Sequence, residues 1–190
     1  MKKSDLYIIL EKHKEWLESK CKKGEQADLS HQVLTGEDLD GVDLRESILI
    51  GIDLNFCRLR HTIFTDANLM AANLSRADLT DTCLKRAKMI GVDFRGAWLK
   101  NANLQFSDLE NTDFTGATLW GADLMRVDLS YSNLSFSNLN NADFRYSNLT
   151  GANLYGSDLR RADFRMVNFR FSNLSHCYLE GTKFPEDYEP

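Results

Sequence analysis

Proline is nearly absent, with 2 in 190 residues, and no stretch approaches the run of about 18 apolar residues that a membrane-spanning helix needs. With 43% hydrophobic residues, that composition excludes a proline-rich disordered chain and a collagen. Cysteine is scarce and dispersed. Cys21, Cys57, Cys83 and Cys177 contain no CxxC pair, which suits reduced thiols better than a disulfide frame or a zinc site. Neither sign of charge dominates: 23 Lys and Arg stand against 28 Asp and Glu, a net charge of −5 that disfavours strong nucleic-acid binding. The opening residues Met1 to Leu6 meet an acid, Asp5, too early for a secretory signal, so a cytosolic location is expected, with no membrane partner.

What the sequence has instead is a repeat. From Ala27 onward it reads in blocks of five, ADLSH, QVLTG, EDLDG, VDLRE, and so to TKFPE at Thr182–Glu186. Taking the middle residue of each block as its centre gives 32 centres from Leu29 to Phe184, of which 24 are Leu, 7 are Phe and one is Met89. Two residues before each centre the side chain is small or compact, with Gln32 and Glu37 as early exceptions. A straight strand would alternate successive centres between faces, and a helix would rotate each by about 140° from the last. Neither buries all of them, so the chain must turn every five residues.

Four blocks per square turn bring every centre inward and give 8 coils of twenty residues. Glycine marks the corners, since 10 of the 11 glycines stand two residues after a centre, where the second central residue of a type II turn requires a positive φ. Asn101, Asn111 and Asn141 suit the same slot, and the remaining corners are expected to use other turn types. Asp or Asn immediately before the centre, as at Asp28, Asn68 and Asn73, is placed to bind a backbone amide of the turn.

The A(D/N)LXX pattern over residues 27–186 resembles the pentapeptide-repeat family. That resemblance implies an all-β solenoid, a right-handed quadrilateral parallel β-helix of about 8 coils with an N-terminal α-helical cap. At about 4.8 Å per coil the rod would be roughly 38 Å long. The expected organisation is a capping helix and linker at 1–26, the β-helix at 27–186 and a tail at 187–190. In the helix Ser4 is the expected N-cap, Leu6, Ile9, Leu10, His13, Trp16 and Leu17 form one apolar face, Lys20, Lys22 and Lys23 favour the negative end, and Gly24 stops it. A lid on the first coil is its expected role, with a membrane-surface helix as the competing one.

At the other end only six residues follow Phe184. Phe164, Phe169, Leu174, Leu179 and Phe184 therefore form the expected interface of an end-to-end homodimer, against a monomer whose tail folds over the end with Tyr188 as a plug.

No GxSxG, P-loop, GxGxxG or HExxH string occurs, and His13, His31, His61 and His176 fall in the helix and on three different faces. A filled core is expected to leave no ligand-sized pocket. No catalytic residue, metal ligand or cofactor is assigned, and a non-enzymatic scaffold for an unidentified protein partner is the expected function.

Binding information must lie on the outer positions. In residues 27–184 the two outer corner slots hold 13 bases and 6 acids, while 13 of the 20 acids are the Asp before a centre. One face interleaves Arg45, Lys85, Arg86, Arg126, Arg145 and Arg165 with Phe106, Met125, Tyr146 and Met166, although acids such as Asp43, Asp123, Asp143 and Asp163 share it. A second feature is the apolar strip Ile50, Met70 and Ile90, one coil apart and flanked by Gly51, Ala71 and Gly91. These two surfaces are the candidate partner sites. The family resemblance also implies an alternative, because relatives of the quinolone-resistance type inhibit DNA gyrase by imitating the negative charge of duplex DNA. The scarcity of acids at the corners argues against that reading.

Overall fold

The computed structural model describes residues 1–186; the expected tail 187–190, with Tyr188, lies outside the described residues. One helix, α1 (Lys3–Glu18), precedes the repeat. From Asp28↔Ile48 to Asp163↔Lys183, parallel bridges join the residue before each centre to its counterpart twenty residues on, so the chain advances by one coil every four blocks.

Each block has the same internal logic. The Leu29 carbonyl accepts from the Gln32 amide at 3.1 Å, closing a turn whose third residue, His31, has φ 59°. The Ser30 amide donates to Asp28 Oδ1 at 3.0 Å, and the same bond recurs from Arg45 to Asp43 and from Ser75 to Asn73. The ladder is equally regular: the Leu29 and His31 amides donate to the Ile48 and Ile50 carbonyls, and the Ile48 amide donates back to Ala27.

Every corner from His31 to Gly181 has a positive φ, which corrects the expectation of other turn types where glycine is missing. The non-glycine corners lie between 55° and 65° and include Phe136, Tyr146 and Arg126. Each costs about 1–2 kcal/mol of local strain. Turn, ladder and Asp or Asn side-chain bonds act on the same block, and at about 1 kcal/mol net per bond they outweigh the local preference.

Inside, the centres from Leu29 to Phe164 are all buried. Phe94 stacks on Phe114 at 4.7 Å between ring centroids and Phe144 on Phe164 at 4.6 Å, so aromatic rings pile up along the axis. Buried hydroxyls two residues before a centre are satisfied by backbone carbonyls: Ser47 donates to Leu44 at 2.6 Å and Thr62 to Leu39 at 2.9 Å.

The helix differs from expectation at both ends. Lys2, not Ser4, occupies the N-cap, and the Ser4 hydroxyl donates to Asp5 Oδ1 instead. α1 ends at Glu18 with no base in its last turn, so Lys20, Lys22 and Lys23 lie beyond it. Gly24 has another purpose. A Cβ there would stand 2.2 Å from the Lys12 carbonyl oxygen, so glycine lets the returning chain lie against the helix. The apolar face is as expected: Leu6 and His13 are buried, and Ile9 and Leu10 pack against the core. His13 Nδ1 accepts the Ala27 amide at 3.0 Å, tying α1 to the first coil. Burial pulls the His13 pKa below its ordinary value, against the opposing influence of the Arg45 backbone, Asp43 and Glu46.

Candidate functional site

The interior is filled, so functional groups lie outside, in columns where residues twenty apart stand above one another. The expectation that no ligand-sized hollow exists needs correction. A groove of about 740 Å³ separates α1 from the first coil, between Leu10, Leu17 and Val42, and a hollow of about 480 Å³ lies beside Tyr146, Met166 and Phe184. Among the described residues no group of three or more His, Cys, Asp or Glu is arranged to hold a metal. Burial pushes the Cys57 thiol up to about 11, the direction that suppresses thiolate chemistry.

Most corner arginines are engaged by a local device. Where Asp precedes a centre and Arg follows it, the carboxylate accepts both the Arg amide and its side-chain fork. Asp143 takes the Arg145 amide at 3.1 Å, Nε at 2.9 Å and Nη2 at 2.6 Å. Arg45–Asp43, Arg95–Asp93, Arg160–Asp158 and Arg165–Asp163 repeat the pairing, each at 2.6 Å. Between coils, Arg86 meets Asp66 and Arg60 meets Asp40, both at 2.5 Å. The Arg60 guanidinium holds the Asp40 carboxyl down to about 2. Four members of the basic face, Arg45, Arg86, Arg145 and Arg165, are thus paired.

Arg126 is different. It forms no ion pair with any described residue, and its guanidinium carbon lies 5.6 Å from the Phe106 ring centroid and 5.4 Å from that of Tyr146. Lys85 Nζ sits 5.5 Å from the Phe106 centroid. Phe106, Tyr146 and Met166 are 47%, 55% and 67% exposed, so the structure brings these residues into one open column. Ile50, Met70 and Ile90 also align, on another corner, but each is half-buried. Exposed aromatics also meet one another across coils: Phe136 meets Tyr155 edge-on at 5.5 Å and Tyr155 meets His176 at 5.1 Å. The sequence signal for that cluster is occupancy of neighbouring corner slots in successive coils.

At the C-terminal end, Phe164 is fully buried beneath Phe169 and Phe184, with ring centroids at 5.2 and 6.0 Å, which removes it from the expected dimer surface. Phe169, Leu174, Leu179 and Phe184 are half-buried there.

A four-sided stack of five-residue blocks with an inward Leu or Phe ladder defines a β-helical repeat protein. Pentapeptide repeats match in eight copies across residues 25–55, 52–89, 84–116, 107–145 and 147–185, and the chain belongs to the pentapeptide-repeat family. A trypsin-treated variant of QnrB1, a plasmid-mediated fluoroquinolone resistance protein, is similar in fold, with a TM-score of 0.52, 21% identity, and coverage of 85% of this chain and 91% of that one. HetL, involved in heterocyst differentiation regulation in the cyanobacterium Nostoc, matches at 24% identity and TM-score 0.44 over 87% of this chain and 92% of its own. A thylakoid-lumen protein from Arabidopsis thaliana matches at 28% identity and TM-score 0.42 over 52% and 62%. No curated protein matches the sequence.

Proposed function

We propose that the protein is a non-enzymatic, cytosolic scaffold: a rod of eight coils, lidded by α1, that presents rigid columns of side chains to a protein partner and pairs end to end through its last coil. The observation that carries this reading is the exposed column Phe106, Arg126, Tyr146 and Met166, held at one-coil spacing by a hydrogen-bonded backbone. Side chains already ordered by the fold lose little conformational entropy on binding. The half-buried strip Ile50, Met70 and Ile90 is the second candidate contact.

The test is affinity capture by the intact protein against two triple variants, Arg126→Glu/Arg145→Glu/Arg165→Glu and Ile50→Glu/Met70→Glu/Ile90→Glu, each first required to keep its β-sheet circular dichroism. Loss of a captured partner by either variant locates the contact, whereas identical capture by all three rejects both surfaces.

The alternative, a DNA-mimicking regulator of a type II topoisomerase such as gyrase, draws support from the fold shared with a fluoroquinolone resistance protein. The Asp–Arg forks weigh against it, because they neutralise the carboxylates that a mimic would display. A gyrase supercoiling assay with the intact rod decides it, inhibition favouring the mimic.

A further inference from the structure

We infer that the corner column from Lys85 to Met166 is a docking track for an extended acidic segment of another protein, with a carboxylate seated on Arg126 and an apolar side chain in the hollow beside Tyr146 and Met166. This rests on the scaffold reading and names its partner's chemistry.

The track is built by the backbone. The Arg86, Phe106 and Arg126 amides donate to the carbonyls of Gln105, Met125 and Arg145 in the next coil, at 2.9, 3.1 and 3.0 Å. Successive corner side chains are thereby held at about the 4.8 Å spacing of neighbouring strands. Five of them, at 86, 106, 126, 146 and 166, span roughly 19 Å, the reach of about six extended residues.

Arg126 is singled out by the same geometry that pairs its neighbours. The Asp–Arg fork joins the residue before a centre to the residue after it. Arg126 stands one place further on, with φ 58°, which carries its side chain into the column, and where Arg86 at the same offset finds Asp66 one coil before it, Arg126 finds Phe106. The carboxylate of its own block, Asp123, is occupied instead by the Met125 amide at 3.1 Å and Gln105 Nε2 at 2.6 Å. With Phe106 one coil before it and Tyr146 one coil after it, each ring centroid within 5.6 Å of its Cζ, and no ion pair among the described residues, the guanidinium has N–H groups to offer a carboxylate fork. Lys85, also without an ion pair among the described residues, adds a second positive charge beside Phe106.

The hollow selects the other half of the ligand. Arg145 and Arg165 line it, but both are committed to Asp143 and Asp163, while Glu186 on its wall repels an anion. What remains is the apolar surface of Tyr146, Met166, Phe184 and Pro185. Its Tyr146 and Met166 walls stand one and two coils from Arg126, roughly 5 and 10 Å, and side chains at i and i+2 of an extended chain point the same way about 7 Å apart, between the two. The fitting sequence is therefore an acid and an apolar side chain two residues apart. A nucleic-acid strand fits less well, because Asp123, Asp143 and Asp163 flank the track and, among the described residues, Lys85 and Arg126 are its two cations without an ion pair.

The test is selection of displayed random 12-residue peptides on the full-length protein, followed by fluorescence anisotropy with the selected peptide and with a 20-nucleotide oligo-dT. Expected are peptides with an acid and an apolar residue at i and i+2, about tenfold weaker binding to Arg126→Gln and to Phe106→Leu/Tyr146→Leu, and no change for Arg160→Gln on another corner. Replacing the peptide's acid by Lys should abolish binding. Peptides that bind equally well to Arg126→Gln overturn the track while leaving the scaffold standing. Failure to select any peptide overturns the track, and the affinity-capture experiment still judges the scaffold by itself. Oligo-dT binding tighter than the peptide, with the same dependence on Arg126, replaces the acidic segment with nucleic acid.

Discussion

The Tyr131 ring lies directly over Gly151, its Cδ1 only 2.7 Å from the point a Cβ on that glycine would occupy. Phe136 covers Gly156 in the same manner at 3.0 Å, whereas Gly91 has nothing within 4 Å of its Cβ position. Large corner side chains thus fold up over a bare corner in the next coil, and glycine at 151 and 156 answers a contact as well as a dihedral angle. Gly91→Ala should cost about 1 kcal/mol for left-handed strain alone. Gly151→Ala should cost more, because the ring must also move. In a Tyr131→Ala background the Gly151→Ala cost should fall to that of Gly91→Ala, and urea denaturation of the four proteins in the cycle measures the difference.

Corners without glycine carry the converse prediction. Ala71, at φ 55°, pays strain with a side chain too small to stack, so Ala71→Gly should stabilise the fold by up to about 1 kcal/mol. Phe136→Gly relieves the same strain but removes the edge-on contact with Tyr155. It should gain less than Ala71→Gly or lose stability outright, and a gain equal to that of Ala71→Gly would deny the aromatic cluster any energetic weight.

The five-residue period made the architecture legible because it constrains burial directly: one inward Leu or Phe per block leaves few alternatives. Turn type was harder to read. Phe136 and Arg126 have low intrinsic preference for positive φ, and the ladder to the next coil together with the Asx bonds from Asn133 and Asp123 holds them there. The site was legible as a face rich in Arg and aromatics, but not which of its arginines is unpaired. Arg126 and Arg145 look alike in sequence; one residue of offset from the centre sends Arg145 to Asp143 and Arg126 into the column, where Phe106 stands in the place that gives Arg86 its Asp66.

Acid should expose the Asp–Arg pairs. The Arg60 hydrogen bonds lower the Asp40 pKa from 3.8 to about 2, so its folded form binds fewer protons than the unfolded chain between those values. Stability from this group is complete above about pH 4 and is lost as pH falls toward about 2. Asp66, Asp158 and Asp163, lowered by their own arginines, act in the same direction. A carboxyl NMR titration should place the Asp40 midpoint near 2 in the intact protein and return it toward 3.8 in Arg60→Gln; a midpoint near 3.8 in both would refute the pairing in solution.

His13 gives a second, separable pH dependence. Burial depresses its pKa below 6.5, so the unfolded chain takes up a proton first as pH falls. Its unfavourable effect is absent well above pH 6.5 and grows as pH drops from 6.5 toward the folded value. His13→Gln keeps a side-chain acceptor for the Ala27 amide without the titration. Stability measured at about pH 7.5 and about pH 5 should therefore fall more in the intact protein than in the variant, and equal losses would show that His13 is not held neutral.

The last coil separates packing from association. Leu154, Gly156, Leu159 and Arg161 donate their amides to the Asn173, Ser175, Tyr178 and Glu180 carbonyls above them, but the equivalent amides of Leu174, His176, Leu179 and Gly181 meet no backbone carbonyl among the described residues. With Leu174 and Leu179 half-buried beside them, this end offers both apolar area and donors to a second copy. Leu174→Glu/Leu179→Glu should abolish concentration-dependent light scattering while keeping the β-helix. Phe164→Leu acts on a fully buried ring and should cost about 1–2 kcal/mol in folding stability with no effect on association. If Phe164→Leu weakens association as much as the double variant does, the end coil is not a rigid platform and the contact between copies reaches deeper than its surface.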